Sequence, residues 1–298
     1  MGRFAPIFII IAASLWGIDG IVLRPSLYNL PVPLVVLIES SIVAILLTPL
    51  FFKELPKIRS LANQDLLSFF LVALLGGAIG TMSITKALFY VNFVNLSVVI
   101  LIQKLQPVFA LILASILLKE KPPKEFFIWA GLAIIGAYLM TFGLSFPNLS
   151  TGEKTVIAAG LSLIAAFSFG SSTVLSKRAL RNVGFELGTY LRFLFSSFIM
   201  LITALIFSSI SKISSVTDTQ WLIFFLIAIT TGGAAIFLYY YGLKKVTASV
   251  ATICELAFPL TAVILEYFLH GNMLDIVQWI GVTILLTSII KVSSLNNK

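Results

Sequence analysis

The chain has 298 residues, of which 59% are hydrophobic and 11% charged, and its formal net charge is +8. Soluble domains have roughly a quarter of their residues charged, so these values and a mean hydropathy of +1.08 exclude an ordinary soluble protein. The basic residues stand at the ends of apolar stretches, which argues against nucleic acid as a partner. The single cysteine, Cys254, excludes an internal disulfide and a zinc site built from cysteines.

Ten apolar stretches follow one another along the chain, and each is long enough to cross a bilayer as a helix of roughly 20 residues. Prolines, asparagines, glycines and charges mark their limits. The first stretch is longer than the apolar part of a signal peptide and contains Asp19, so we interpret it as a retained helix. The sequence predicts an all-α integral membrane protein with spans at 4–24, 33–52, 67–89, 95–118, 125–143, 155–177, 187–209, 220–243, 247–270 and 275–292.

Lysine and arginine are distributed unequally between the two sets of alternating loops. With the N-terminus inside, the cytoplasmic set contains fourteen of them, whereas the outer loops contain only Arg24, Lys154 and Lys212. Because basic residues accumulate in cytoplasmic loops, both termini are predicted to be cytoplasmic. The expected location is the cytoplasmic membrane of a bacterium or an archaeon.

The second half of the chain repeats the pattern of the first. The matching pairs, at offsets of 150 to 153 positions, are Gly17 and Gly170, Glu39 and Arg192, Pro107 and Pro259, and Trp129 and Trp279. We therefore divide the chain into two repeats, 1–146 and 147–298, each with five spans. Because five is an odd number, the second repeat is inserted upside down relative to the first. Inverted repeats are typical of alternating-access carriers, whose substrate site lies between the repeats near the bilayer midplane.

This ordered set of features resembles the drug/metabolite transporter superfamily, and within it the EamA-type family, over essentially the whole chain. The matching features are Trp16-Gly17 in the first span, the prolines inside spans four and nine, and Leu117-Leu118-Lys119-Glu120 closing span four. The chain departs from the family at His270-Gly271-Asn272, where a glycine and a glutamate are expected, and at Glu39, where a basic residue is common. The resemblance implies a transporter and not an enzyme, without a cofactor or a metal.

Six ionisable side chains lie well within the predicted spans, where each costs about 2.5–3.5 kcal/mol at the centre of a helix. Three are acidic and three are basic, and both signs are expected at each depth of the bilayer. This distribution favours internal ion pairs, and it also suits a zwitterionic ligand. The six are Asp19, Glu39, Lys86, Lys104, Arg192 and Glu255.

Pro107 and Pro259 mark the candidate substrate site, because a proline cannot donate to the carbonyl four residues before it. They are expected to free the carbonyls of Gln103 and Glu255, and to act as hinges. Such gaps are tolerated at membrane depth where water, protein or a ligand satisfies them. The alternative is that two kinked helices pack better and that the polar residues bind their neighbours. The predicted binding set on spans four and nine is Gln103, Lys104, Gln106, Cys254 and Glu255.

The run Tyr239-Tyr240-Tyr241 lies in the eighth span. Successive residues of a helix point about 100° apart, so at least one ring should face inward, and Tyr239 is predicted to bind substrate. It would form a cation–π contact with an amine or stack on an aromatic ring. Anchoring at the membrane interface is the alternative.

Two further groups are predicted to act in gating or proton coupling. Glu39 and Arg192 are candidate gate residues, although Arg192 is also suited to be a structural partner of a carboxylate or of helix-end carbonyls. Glu266 and His270 follow Glu255 on one side of the ninth span and would relay protons. The alternative for these two is that they lie at the interface in contact with water.

These observations predict a secondary active transporter that moves a small organic metabolite, such as an amino acid or an amine, by alternating access. Its partners would be the substrate, the lipid bilayer and protons, the last coupled through Glu255. A membrane-embedded enzyme acting on lipid would need a convergent acid–base or metal set. A passive channel would give ionic current in place of saturable uptake.

Overall fold

The computed structural model describes residues 4–51, 55–90, 99, 102–146, 153–270 and 274–295, which form helices and no strands. In these residues nine helices are long and apolar enough to cross a membrane, and α4 is a shorter apolar helix. The predicted all-α fold with about ten spans is therefore confirmed, while most of the start of span four, 95–101, lies outside the described residues. The helices are α1 (Ala5–Leu27), α2 (Val32–Phe51), α3 (63–90), α4 (Gln106–Leu117), α5 (Lys124–Phe142), α6 (Glu153–Ala179), α7 (Phe185–Ile206), α8 (Asp218–Lys245), α9 (248–270) and α10 (Ile276–Leu295).

Large apolar side chains occur both inside the protein and on its surface. Tyr240 and Phe69 are fully buried, whereas Ile206 and Val156 are each 73% exposed. Such exposure is unfavourable in water but places hydrocarbon against hydrocarbon in a bilayer. The outer surface of the helices therefore fits a lipid environment.

Three helices contain wider π-helical turns: α1 at Asp19–Leu23, α3 at Ala73–Gly80 and α8 at Ala228–Gly232. A π-helical turn interrupts the regular hydrogen-bond ladder, and such turns occur frequently at functional sites. All three segments contribute residues to the central cavity described below.

Helix α9 is interrupted by a turn, and a similar turn stands immediately before α4. The two parts of α9, Ala248–Cys254 and Ala257–His270, are separated by a turn at residues 255–256. A corresponding turn at residues 104–105 precedes α4, which begins at Gln106. Both repeats therefore carry a break at the same place.

The prolines follow these breaks and do not lie in the middle of continuous helices. Pro107 and Pro259 lie in the first turn of the helical part after each break, where the missing N–H has no helical partner in any case. The prediction that Pro259 frees the carbonyl of Glu255 is wrong, because this oxygen accepts a hydrogen bond from the Phe258 N–H at 3.0 Å. The hinge function of the two prolines stays a prediction.

The helix contacts are repeated when the two halves are exchanged. Helix α2 packs on α7 and α5 packs on α10, so in each of these pairs a helix contacts its own counterpart from the other half. Helix α1 packs on α8 and α9, and the corresponding helix α6 packs on α3 and α4. This is the contact pattern expected of two five-helix bundles related by an approximate twofold axis.

Repeat-related glycines bring helices against the two breaks. A Cβ atom on Gly17 would lie 2.9 Å from the carbonyl oxygen of Phe258, and one on Gly170 would lie 2.9 Å from that of Gln106. Both distances are shorter than normal contacts, so only glycine allows α1 to approach the break in α9, and α6 the break before α4.

Hydrogen bonds between helix ends and loops show which of them lie on the same face of the protein. On one face, Lys177 donates to the carbonyl of Leu243 at 2.9 Å, which joins the ends of α6 and α8. On the other, the Gln220 amide donates to Asn29 Oδ1 at 2.8 Å, which joins the start of α8 to the loop after α1. The loops on the first face are basic, in agreement with the unequal distribution of lysine and arginine along the sequence. Its cytoplasmic orientation stays a prediction from that charge.

Glu120 joins the two halves on this basic face. Its carboxylate accepts hydrogen bonds from the backbone N–H groups of Ala248 at 2.8 Å and Ser249 at 3.0 Å, and from the Ser249 hydroxyl at 2.6 Å. Lys119, with φ 55°, turns the chain immediately before it. A carboxylate at the start of a helix satisfies free N–H groups and is favoured by the helix dipole. The end of α4 is thereby fixed to the start of α9.

Replacing Glu120 with alanine should lower the melting temperature of the purified protein by several degrees, because about 1–2 kcal/mol of capping interaction is lost. Lys121→Ala, an exposed change next to it, is the control and should leave the melting temperature unchanged. Equal melting temperatures for Glu120→Ala and the control would show that the contact does not stabilise the protein.

Candidate substrate-binding site

A cavity of about 420 Å³ lies between the two halves of the protein. Its described lining comes from α1 to α4 and from α6 to α9, that is, from four corresponding helices of each half. The volume falls within the ~300–1,000 Å³ of small-molecule sites. The cavity therefore has the size of a small-molecule site. It lies between the two halves, where the repeat predicts a substrate site.

Buried polar atoms without a hydrogen-bond partner are concentrated around this cavity. Among the described residues seven buried side-chain atoms lack a hydrogen bond, and six of them belong to cavity-lining residues. Each such group costs about 1–3 kcal/mol unless something binds it. Their concentration indicates a site for a polar ligand. The six residues are Asp19, Glu39, Gln103, Lys104, Thr231 and Thr252.

Glu255, at the break in α9, lies at the centre of a hydrogen-bond network. Its carboxylate accepts bonds from Gln106 Nε2 at 2.6 Å, from the Tyr239 hydroxyl at 2.6 Å and from Thr173 Oγ1 at 3.1 Å. The donors come from α4, α8 and α6, and the ring of Trp16 on α1 lies 5.3 Å from that of Tyr239. Three of the predicted binding residues thus meet in one network that joins both halves.

Gln103 and Lys104, at the break before α4, line the same cavity. The Lys104 side chain is buried, with the residue 6% exposed, and neither its Nζ atom nor Gln103 Oε1 has a hydrogen-bond partner among the residues that the structure describes. Predicted residues from both breaks therefore line one cavity, where Glu255 accepts hydrogen bonds and Lys104 makes none with described residues.

Cys254 does not line the cavity, although it was predicted with the other residues of the ninth span. Its Sγ atom lies 3.4 Å from Ser293 Oγ on α10. Neighbouring residues of a helix point about 100° apart, so Glu255 and Cys254 face different sides of α9.

Arg24, predicted to lie in an outer loop, lines the cavity. Helix α1 continues beyond residue 24 as a 3-10 turn, Arg24–Leu27, and the guanidinium reaches back to Asp19 at 2.6 Å and 2.9 Å. It also lies 3.4 Å from the carboxylate of Glu39 on α2. The five-residue spacing of an aspartate and an arginine in an apolar segment was the available signal for this ion pair.

Lys86 and Arg192 differ in their positions. Lys86 is exposed, lies 5.8 Å from the Tyr90 ring centre and does not line the cavity. Arg192 lines the cavity, and its Nη1 atom lies 3.4 Å from the Tyr240 hydroxyl. Glu39 binds Arg24 instead, so the two repeat-related gate candidates do not pair with each other.

The described charged groups around the cavity balance in number. Three carboxylates and three basic groups line it, which gives a formal sum of zero. They are Asp19, Glu39, Glu255, Arg24, Lys104 and Arg192.

The predicted proton relay cannot be followed beyond Glu255. Glu266 and His270 belong to α9, but their side chains are outside the described part of the structure. The relay therefore stays a prediction.

Replacing Arg24 with methionine should strongly destabilise the protein, because Asp19 and Glu39 would remain as buried carboxylates without a cation. Removing one partner of a buried ion pair typically costs about 3–5 kcal/mol. The melting temperature of the purified variant measures this loss. The triple variant Asp19→Asn, Arg24→Met and Glu39→Gln carries no such charges and should recover most of the stability. A triple variant no more stable than Arg24→Met would contradict this explanation.

A cavity between the two halves of an apolar helical protein, with buried charged and polar groups in its lining, is typical of membrane transporters. The sequence model of the EamA-like transporter family matches residues 3–142 and again residues 156–294. The chain belongs to the EamA-like transporter family, within the drug/metabolite transporter superfamily, as its motifs indicated.

Similar proteins extend over most of the chain. The sequence is 47% identical over 291 residues to the "Riboflavin transporter ImpX" of Fusobacterium nucleatum, covering 97% of each chain. It is 28% identical over 245 residues to an uncharacterized transporter of Synechocystis, covering 78% of this chain and 67% of the other. A crystal structure of a protein with 15% sequence identity superposes with a TM-score of 0.74 over 99% of both chains, which supports the fold alone.

Proposed function

We propose that this protein is a secondary carrier that moves riboflavin, or a close flavin relative, across the cytoplasmic membrane by alternating access. The observation that carries the proposal is a cavity between the two halves that combines aromatic rings with unpaired polar groups. The name of the relative with 47% identity supplies the substrate class. The proposal replaces the amino acid or amine that the sequence suggested.

The lining suits the shape of a flavin. Riboflavin has a flat three-ring system with carbonyl and N–H groups on one edge and a chain of hydroxyl groups. Trp16, Phe169 and Tyr239 offer aromatic faces or edges to the ring system. The hydroxyls of Thr231 and Thr252 are buried without partners and would bind hydroxyl or carbonyl groups of the ligand.

The charge of the cavity supports an uncharged substrate. Its formal charges cancel, and a ligand with a net charge would add an unbalanced charge to a poorly solvated space. Riboflavin is uncharged near neutral pH and avoids this cost.

An amino acid or an amine is the competing substrate, because both signs of charge line the cavity. An ammonium group would need a carboxylate with free acceptor capacity. Glu255 already accepts three hydrogen bonds, and Asp19 and Glu39 share Arg24. Asp19 Oδ1 and Glu39 Oε1 accept no hydrogen bond among the described residues, but both carboxylates lie beside Arg24, so an ammonium group there would meet a charge of the same sign, which favours the flavin.

Alternating access would use the two breaks. A turn inside a helix changes direction at lower cost than a continuous hydrogen-bonded helix, so the turns at residues 104–105 and 255–256 are suited to bend. The contact between Glu120 and the start of α9 would close the basic face. Its release would then accompany opening on that side.

Riboflavin should raise the melting temperature of the purified protein in a concentration-dependent manner, and proteoliposomes should accumulate it with saturation. Unlabelled riboflavin and lumiflavin should compete with the labelled substrate, whereas amino acids and simple amines should not. Stabilisation by an amino acid without any effect of riboflavin would contradict the proposal and support its competitor.

Glu255 is the group proposed to couple transport to protons. Glu255→Gln keeps the shape of the side chain but cannot take up a proton, so uptake driven by a proton gradient should fall at least about tenfold while riboflavin exchange continues. Asp218→Asn, an exposed carboxylate at the start of α8, is the control and should behave like the wild type. Full stimulation of Glu255→Gln by the gradient would exclude this role.

A further inference from the structure

Lys104 is distinguished from the other charged groups of the cavity by its lack of a partner. Arg24 forms ion pairs with Asp19 and Glu39, Glu255 accepts three hydrogen bonds, and Arg192 donates to Tyr240. Lys104 takes part in none of the ion pairs found among the described residues, and its Nζ atom has no hydrogen bond. Lys104 therefore lines the cavity with a buried amino group that no described residue binds.

The architecture does not require a lysine at this position. The offset of 152 that relates Pro107 to Pro259 also relates Lys104 to Leu256. Leu256 is 5% exposed and lines the cavity from the turn in α9, as Lys104 does from the turn before α4. An apolar side chain fills the repeat-related place, so the cost of burying an amino group is not imposed by the fold.

The neighbouring residue adds the complementary hydrogen-bonding group. A lysine amino group is a hydrogen-bond donor, whereas Gln103 presents a buried carbonyl oxygen that lacks a donor. Two consecutive residues of one turn thus offer a donor and an acceptor to the same cavity. A ligand that satisfies both must carry an acceptor and an N–H or O–H donor.

We propose that Lys104 and Gln103 recognise the carbonyl–NH–carbonyl edge of the flavin ring, an inference that rests on the proposed function. Lys104 Nζ donates to a ring carbonyl, and Gln103 Oε1 accepts the ring N–H between the two carbonyls. This pair determines specificity, because an altered edge would leave a buried amino group and a buried amide oxygen without partners.

Binding of two ring compounds without the hydroxyl chain tests this assignment. The full-length protein in detergent is titrated with lumiflavin and with 3-methyllumiflavin, in which a methyl group replaces the ring N–H hydrogen, and flavin fluorescence gives Kd. The wild type should bind lumiflavin about tenfold more tightly than the methyl compound. Lys104→Met should weaken lumiflavin binding about tenfold, and Gln103→Met should reduce the preference for lumiflavin to near one.

A control and a stability measurement separate recognition from a structural effect. Lys86→Met removes a lysine that does not line the cavity and should bind both compounds like the wild type. Lys104→Met should melt at a higher temperature than the wild type without flavin, because an apolar side chain replaces an unpaired amino group, yet gain less stability from riboflavin. A structural lysine would give the opposite result, with a lower melting temperature under both conditions.

Three other results are decisive. A wild-type protein that binds riboflavin, together with Lys104→Met that binds lumiflavin equally well, would overturn this inference and leave the proposed function intact. Lys104→Met that loses riboflavin 5′-phosphate but keeps lumiflavin would show that the lysine serves a phosphate group, and would also overturn it. A wild-type protein that binds no flavin would overturn both proposals.

Discussion

A polar group at membrane depth needs a partner in the protein, in cavity water or in a ligand, because the surrounding hydrocarbon offers none. This requirement is most demanding at the two breaks, where the regular backbone ladder stops. At the break in α9, the Glu255 carboxylate accepts hydrogen bonds from side chains on α4, α6 and α8. These bonds connect the two halves at the break. The glycines at 17 and 170 allow α1 and α6 to approach the backbone next to the breaks closely.

The same backbone arrangement carries different chemistry in the two repeats. At the second-half break the Glu255 carboxylate accepts three hydrogen bonds, whereas at the first-half break Gln103 Oε1 and Lys104 Nζ have no partner among the described residues. The two halves thus place one break each at the cavity, and the difference between their sequences determines which groups line it.

Arg24 shows how the charges of the cavity are kept in balance. One guanidinium lies between two carboxylates on α1 and α2, and the remaining carboxylate, Glu255, is held by neutral donors. An uncharged molecule in such a cavity would leave no uncompensated charge in a region of low dielectric constant, which agrees with the proposed flavin.

Length and hydropathy were sufficient to predict the all-α membrane fold with about ten spans, because the bilayer imposes a fixed length of apolar helix on any chain that crosses it. Pro107 and Pro259 predicted kinks in the fourth and ninth spans, but the turns lie just before them, at residues 104–105 and 255–256. The sequence also predicted that Gln106, Tyr239 and Glu255 face the interior, because polar side chains are costly at that depth, and all three line the cavity. It could not show that Cys254 faces α10, that Lys86 lies outside the cavity or that Arg24 belongs to it. Those outcomes depend on the rotation of each helix about its axis and on where its last turn ends, which are set by packing against neighbours distant in the chain.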